Sequence, residues 1–239
     1  MSIILRAILL SVVWACALTA ARAYDGAPRT AHFASDNRDA GLVLDQTGAT
    51  ARVRFDGQTE ILAAWWRPAA GGDRILLRDD GVLILRQNVA GGMTLFSPRF
   101  PMGVPVGYDR PAMPLEGPPP PFETLRDTAR EAGAEASQLF GAAIRYDGDW
   151  EAAAEDAGMR AVLFDAVQNA QSAMRLLAMD ATARAGVARS LRVVRFSRGP
   201  RPGILRQRNA AVIVHGLEFG VAARPSSYRI ARDIKAQFP

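Results

Sequence analysis

The sequence predicts an α+β protein: an antiparallel β-rich N-terminal part, a central antiparallel helix pair and C-terminal β strands. Three patterns carry this reading. Between Gly41 and Phe96, short apolar or alternating runs are separated by Asp/Gly turns, as hairpins require. From Phe122 onward, apolar residues recur at helical spacing. Beyond Gly186, runs rich in Val, Ile and Phe return.

Residues 1–23 stand apart as an export signal. Arg6 supplies a positive start, Ala7 to Ala20 an apolar run, and Ala21-Arg22-Ala23 a small-x-small cleavage site. The run is too short and wrongly flanked to span a membrane. Cleavage after Ala23 leaves 216 residues, enough for one large domain or two small ones. A lipoprotein signal acylated at Cys16 is the competing reading, disfavoured by bulky Trp14 two residues earlier. Cys16 is the only cysteine, so the processed chain has no disulfide, thiolate ligand or thiol nucleophile. This suits a periplasmic or secreted protein held together by a hydrophobic core.

The organisation read from the chain is a β-rich part over 24–110, a Pro-rich connector over 111–121, and a helix pair with C-terminal strands over 122–239. The last can form one domain with 24–110. His32-Phe33 starts a first strand, and Leu42 to Leu44 forms the next. Ala51-Arg52-Val53-Arg54-Phe55 alternates strictly and turns at Asp56-Gly57. A three-residue loop, Asp56 to Gln58, keeps the apolar faces together by pairing Phe55 with Thr59, Val53 with Ile61 and Ala51 with Ala63. It also sets Arg54 opposite Glu60 and places Gly57 near the left-handed region. Ile75 to Leu77 and Val82 to Leu85 flank Asp79-Asp80-Gly81; apolar on both faces, they read as strands covered on both sides. Met93 to Phe96 reads as a short closing strand.

Residues 98–121 hold nine prolines, which argues against a helix or central strand there and for an extended connector. Phe122, Leu125, Ala129, Ala132, Ala136, Leu139 and Ala143 form one helical stripe. A second helix, capped by Asp149, runs to about Ala183. Leu191 to Phe196, Ile204 to Arg208 and Ala210 to Val214 read as strands, the last central. Tyr228 to Ala231 is an edge strand or a short closing helix.

Several chemistries are excluded. The only lysine is Lys235, with Arg232 three residues before it, so there is no Ser-x-x-Lys nucleophile. Gly-x-Ser-x-Gly, Gly-x-x-x-x-Gly-Lys and Gly-x-Gly-x-x-Gly are absent. Two histidines, His32 and His215, lie far apart, which argues against a His-rich metal site. No metal, no cofactor and no catalytic residue is therefore assigned. Asp147, Asp149 and Glu151 serve a helix start better than a cation. His215 and Glu218, three apart on a strand, point to opposite faces. Trp65-Trp66 likewise splits into one core and one partly exposed ring rather than a sugar platform.

Charge is unevenly spread. Residues 122–183 carry 5 basic and 11 acidic side chains; residues 184–239 carry 12 and 2. Arg192, Arg195, Arg198, Arg201, Arg206 and Arg208 are the candidate anion-binding residues. Pairing with the acidic helices, through Glu131, Glu135 or Asp165, is the competing explanation. Only Phe196 interleaves with these arginines, which argues against nucleic acid.

The blocks Gly72-Asp73-Arg74, Asp80-Gly81, Leu85-Arg86, Gly91 to Phe96 and Arg224-Pro225-Ser226-Ser227-Tyr228-Arg229-Ile230 resemble a family of exported bacterial proteins classed as a domain of unknown function. The resemblance implies an export signal and a single folded unit, and it transfers no catalytic residue. The expected role is a non-enzymatic envelope protein that binds or scaffolds a partner. The partner is another envelope protein or an anionic surface, not a nucleotide. Two alternatives are a carboxylate-dependent hydrolase of cell-wall glycan and attachment to anionic membrane or lipopolysaccharide through the basic region.

Overall fold

The computed structural model describes residues 28–115, 117–216 and 224–239. The leader, Cys16 and Glu218 lie outside the described residues.

Eight strands close into an antiparallel barrel: β1 (Thr30–Ala34), β2 (Gly41–Asp45), β3 (Ala51–Phe55), β4 (Leu62–Pro68), β5 (Arg74–Arg78), β6 (Leu83–Gln87), β7 (Met93–Leu95) and β8 (Val104–Pro111). Each pairs with its successor, and β8 pairs back with β1. Alternation supplies the interior: Phe33, Leu42, Leu44, Val53, Leu62, Leu76, Leu85 and Leu95 fill it, so the barrel has a packed centre.

This overturns the expected fold class. The N-terminal β part is a closed barrel, and the chain is not a simple α+β arrangement around a central helix pair. The missing piece is β8. It lies inside the nine-proline stretch 98–121, which argued against a central strand, and Pro105 and Pro111 sit opposite Thr94 and Ala31. Proline removes a ladder donor but leaves its carbonyl to accept. Met93 to Leu95 is therefore not the closing strand. Closure also replaces the two-sided cover expected for β5 and β6: Leu76 and Leu85 point inward, whereas Ile75, Leu77 and Leu83 are half-exposed.

The β3–β4 register is one residue off the expected one: Val53 pairs with Leu62 and Ala51 with Ala64. The loop is longer, Gly57 has φ 74° as expected, and Glu60 is released from Arg54. One step of register turns a side chain to the other face, and Glu60 gains a different partner, described below.

After the barrel come α1 (Phe122–Phe140), β9 (Arg145–Asp147), α2 (Trp150–Glu155), α3 (Ala157–Met179), α4 (Ala181–Ser190), β10 (Val193–Arg198), β11 (Gly203–Gln207), β12 (Ala210–His215) and α5 (Ser227–Gln237). The expected second helix is three. Asp156 accepts from Gly158 and Met159 N–H groups, and Asp180 accepts from Ala183, so each caps a new helix. Tyr228 to Ala231 is helical, within α5. The strands form a mixed sheet in the order β11-β12-β10-β9, with β9, β10 and β12 parallel. Small residues let the helices approach closely: Ala129, Ala132 and Ala136 of α1 share one core with Ala166, Ala170 and Ala173 of α3 and with Val194, Ala211 and Ile213 of the sheet.

Candidate functional site

Three parallel strands begin at one end of the mixed sheet, at Arg145, Val193 and Ala210. A pocket of about 850 Å³ opens there, lined by Arg145, Arg192, Arg195, Arg208, Asn209 and Gln207 among others, with no acidic lining residue among those described.

Each guanidinium is placed by a local rule. Arg145 leads β9 and is exposed. Arg192 follows α4 and donates to the carbonyls of Ala188, Arg189 and Leu191. Cations are favoured at a helix C-terminus, and these acceptors are neutral, so the positive charge remains. Arg195 alone meets a carboxylate here, Asp147 at 3.1 Å across the parallel pair. Arg208 opens the two-residue turn between β11 and β12 with φ 54°. A positive φ at that position normally falls to glycine, and a side chain there costs about 1–2 kcal/mol.

The six candidate arginines thus do not form one face. Arg192, Arg195 and Arg208 converge on the pocket, joined by Arg145, which the sequence reading missed. β9 is three residues long, and its pairing with β10 leaves no local trace. Arg206 turns away: its guanidinium lies 4.6 Å from the Phe238 ring and donates to the Gln237 carbonyl. Arg198 ends β10, and Arg201 lies in the following turn. The acidic helices have other partners. Glu135 accepts from Arg175 and Gln171, which holds its carboxyl below the usual range, and Asp165 pairs with Arg224.

The remaining candidates resolve as structural. Asp149 caps α2, and among the described residues no three metal-ligating side chains are placed to hold a metal ion. His215 is buried, and that burial pushes its pKa down. Trp65 and Trp66 are both half-buried; Trp66 donates to Gln46 at 2.9 Å and carries Arg74 4.6 Å from its ring. Neither is wholly core.

Two polar clusters have partners that meet only in the fold. In the first, buried His32 reaches Asp109 through Nδ1 at 3.0 Å and Asp56 through Nε2 at 3.0 Å. The second joins the barrel to the helices. Asp79 accepts from the Ser226 N–H and hydroxyl, and Glu60 accepts from the Ser227 N–H and hydroxyl. Ser226 is the N-cap of α5, so two carboxylates face the positive end of that helix. Asn169 of α3 donates to the Pro225 carbonyl at 3.1 Å. Arg78 lies 3.7 Å from the Tyr228 ring, and Arg232 donates to the Asp80 carbonyl. The serines have carboxylate partners but are 5% and 2% exposed, which closes them to a substrate carbonyl.

The chain belongs to the family described as a domain of unknown function, DUF4908. The family model matches residues 14–234, which takes in both the barrel and the mixed sheet. No match was found among curated proteins or solved structures.

Proposed function

We propose that this DUF4908 chain is a non-enzymatic envelope protein that holds an anionic group, of phosphate or carboxylate chemistry, in the basic pocket. The observation that carries the reading is the convergence of Arg145, Arg192, Arg195 and Arg208 on one concavity with no lining carboxylate. Guanidinium groups bind such anions through forked donors, and Asn209 and Gln207 add neutral ones. The strained backbone at Arg208 supports it further, since strain kept at a residue that lines a pocket points to function. The leader-like residues 1–23 support the envelope assignment.

The hydrolase alternative needs two free carboxylates in one cleft. Glu60 and Asp79, the coupled pair beside the barrel, are each engaged by a serine. Asp39 and Asp56, which both line a second large cavity, are engaged by Ser35 and His32.

The test is calorimetric titration of pyrophosphate into the full chain, with vesicles of phosphatidylglycerol as a second arm. Binding should weaken as salt rises. Arg208→Gly should raise stability by about 1 kcal/mol, by relieving the left-handed strain, while lowering affinity about tenfold through loss of a charge-assisted bond. Soluble anion without vesicle binding identifies a small ligand; vesicle binding lost in the same variant identifies a lipid headgroup. No binding in either arm, or affinity equal to the parent chain's in both Arg208→Gly and Arg145→Ala, refutes the reading.

A further inference from the structure

A second cavity, of about 710 Å³, occupies the end of the barrel where β2 and β6 start and β3, β5 and β7 end. Its floor is Ile84 and Leu95, both buried in the barrel core. Its walls are the half-buried Phe55, Leu83, Phe96 and Phe100, and Tyr228 closes it from α5.

The loop that carries one wall is tied in place. Ser97 and Phe100 exchange main-chain hydrogen bonds across Pro98-Arg99, and Arg99 donates to the Asp39 carbonyl while lying 5.2 Å from the Phe100 ring. The opposite wall is fixed by Arg78, held between Asp80 and the Tyr228 ring. The charged lining groups are balanced: Asp39 and Asp56 against Arg78 and Arg99. Three of the four also have charged or hydroxyl partners nearby: Asp39 accepts from Ser35, Asp56 faces His32, and Arg78 pairs with Asp80. No surplus charge calls for an ionic ligand, in contrast to the basic pocket. Several half-covered rings, a tied frame and a volume within the ordinary small-molecule range call for an apolar body. Three of the blocks that carry the family resemblance supply parts of this mouth: Asp80 holds Arg78, Leu95-Phe96 line it, and Tyr228 closes it.

We infer that the barrel mouth is a binding site for a small uncharged molecule with an apolar body, an aliphatic chain or a fused ring system, seated on Ile84 and Leu95 between Phe55, Phe96 and Phe100. Burial of apolar surface drives the association, and the balanced rim leaves it insensitive to ionic strength.

The experiment is titration of the neutral fluorophore N-phenyl-1-naphthylamine into the full chain. The expected result is a saturable, blue-shifted rise with one site per chain, unchanged by salt. Leu83→Arg, which puts a charge in the wall, should weaken binding about tenfold or more. Val82→Ser trims a rim side chain that is 48% exposed; it should weaken binding a few-fold with the melting temperature unchanged, which keeps the test valid should Leu83→Arg misfold. Absence of a saturable rise overturns the inference, as does equal affinity in Val82→Ser and the parent chain. So does a rise that appears only when a dimer dissociates, for then the occupant is a second copy.

Discussion

Asp45 shows how much one side chain can hold. It is 0% exposed, and it accepts from the hydroxyls of Thr30 and Thr47 and from the N–H groups of Thr47 and Leu115, with Arg52 3.5 Å away. It thereby fixes the chain leaving the barrel to the start of β1. Burial pushes its pKa up, but the Thr47 and Leu115 hydrogen bonds and Arg52 outweigh it, and the net value lies below the ordinary one. A depressed folded value means that the stabilisation is present above the unfolded pKa and is lost as pH falls below about 4. Asp45→Asn presents an amide donor to groups that already donate, and should cost about 2–4 kcal/mol. Urea unfolding at neutral pH measures that loss, and acid unfolding should show a flatter slope in the variant. Residue-scale legibility was uneven for a reason visible in Asp45: the last residue of β2 gives no sign in sequence that Leu115, 70 positions on, will bond to it. The arginine-rich stretch was visible because charge is a property of composition, but which of its arginines share a pocket was not. Arg145 and His32 were not, because their partners meet only in space.

At the scale of elements, local rules worked where the signal was local. Gly57, the Asp149 cap and the start of α1 at Phe122 follow from turn chemistry, capping and periodicity. The same rules failed where tertiary pairing decided. β8 is defined by its partners β7 and β1, not by its composition, and closure outweighed the missing proline donors. The β3–β4 register was argued from matched apolar faces with an added Arg54–Glu60 pair, yet Glu60 serves Ser227 instead. The chain's end is an element-scale device as well. Phe238 is wholly buried, and a Cβ on Gly186 of α4 would collide with the Phe238 carbonyl and with Pro239. Gly186→Ala should therefore push the C-terminus off α4, at a cost of about 1–3 kcal/mol. Thermal melting gives the loss, and faster protease trimming of the last residues would locate it. A similar argument applies to Gly41, whose added Cβ would strike Asp56 and crowd the Phe33 carbonyl. Gly41→Ala should break the Asp56–His32 contact, seen as a shift of the His32 ring resonances by NMR.

The whole molecule is a barrel and a helix-sheet layer joined through a polar turn, Arg224 to Tyr228, whose contacts reach α3 on one side and the end of β5, the β5–β6 turn and the β3–β4 loop on the other. That joint should give the protein a pH profile opposite to that of Asp45. Burial pushes the Glu60 carboxyl up; the Ser227 hydrogen bonds oppose this and the nearby Asp79 charge adds to it, with the net value above the ordinary glutamate range. A raised folded value means that the folded state binds the proton more tightly than the unfolded chain. Stability is then greatest below the unfolded pKa, near 4.3 as an approximate reference, and falls as pH rises through the higher folded value. The barrel weakens in acid through Asp45 while the joint weakens toward neutrality through Glu60, so the contribution of these two groups peaks in mildly acidic solution, while buried His215, its pKa lowered, adds stability as pH rises. Glu60→Gln keeps an acceptor for Ser227 but cannot ionise. It should lower stability modestly at every pH and abolish the decline above the peak. Denaturant unfolding from pH 4 to pH 7, an approximate span set by the carboxylate range, reads this directly. If the variant keeps the parent's slope, Glu60 is not the group that couples the joint to pH. If the parent melts in two steps that the variant does not change, the serine turn does not make the two parts one cooperative unit.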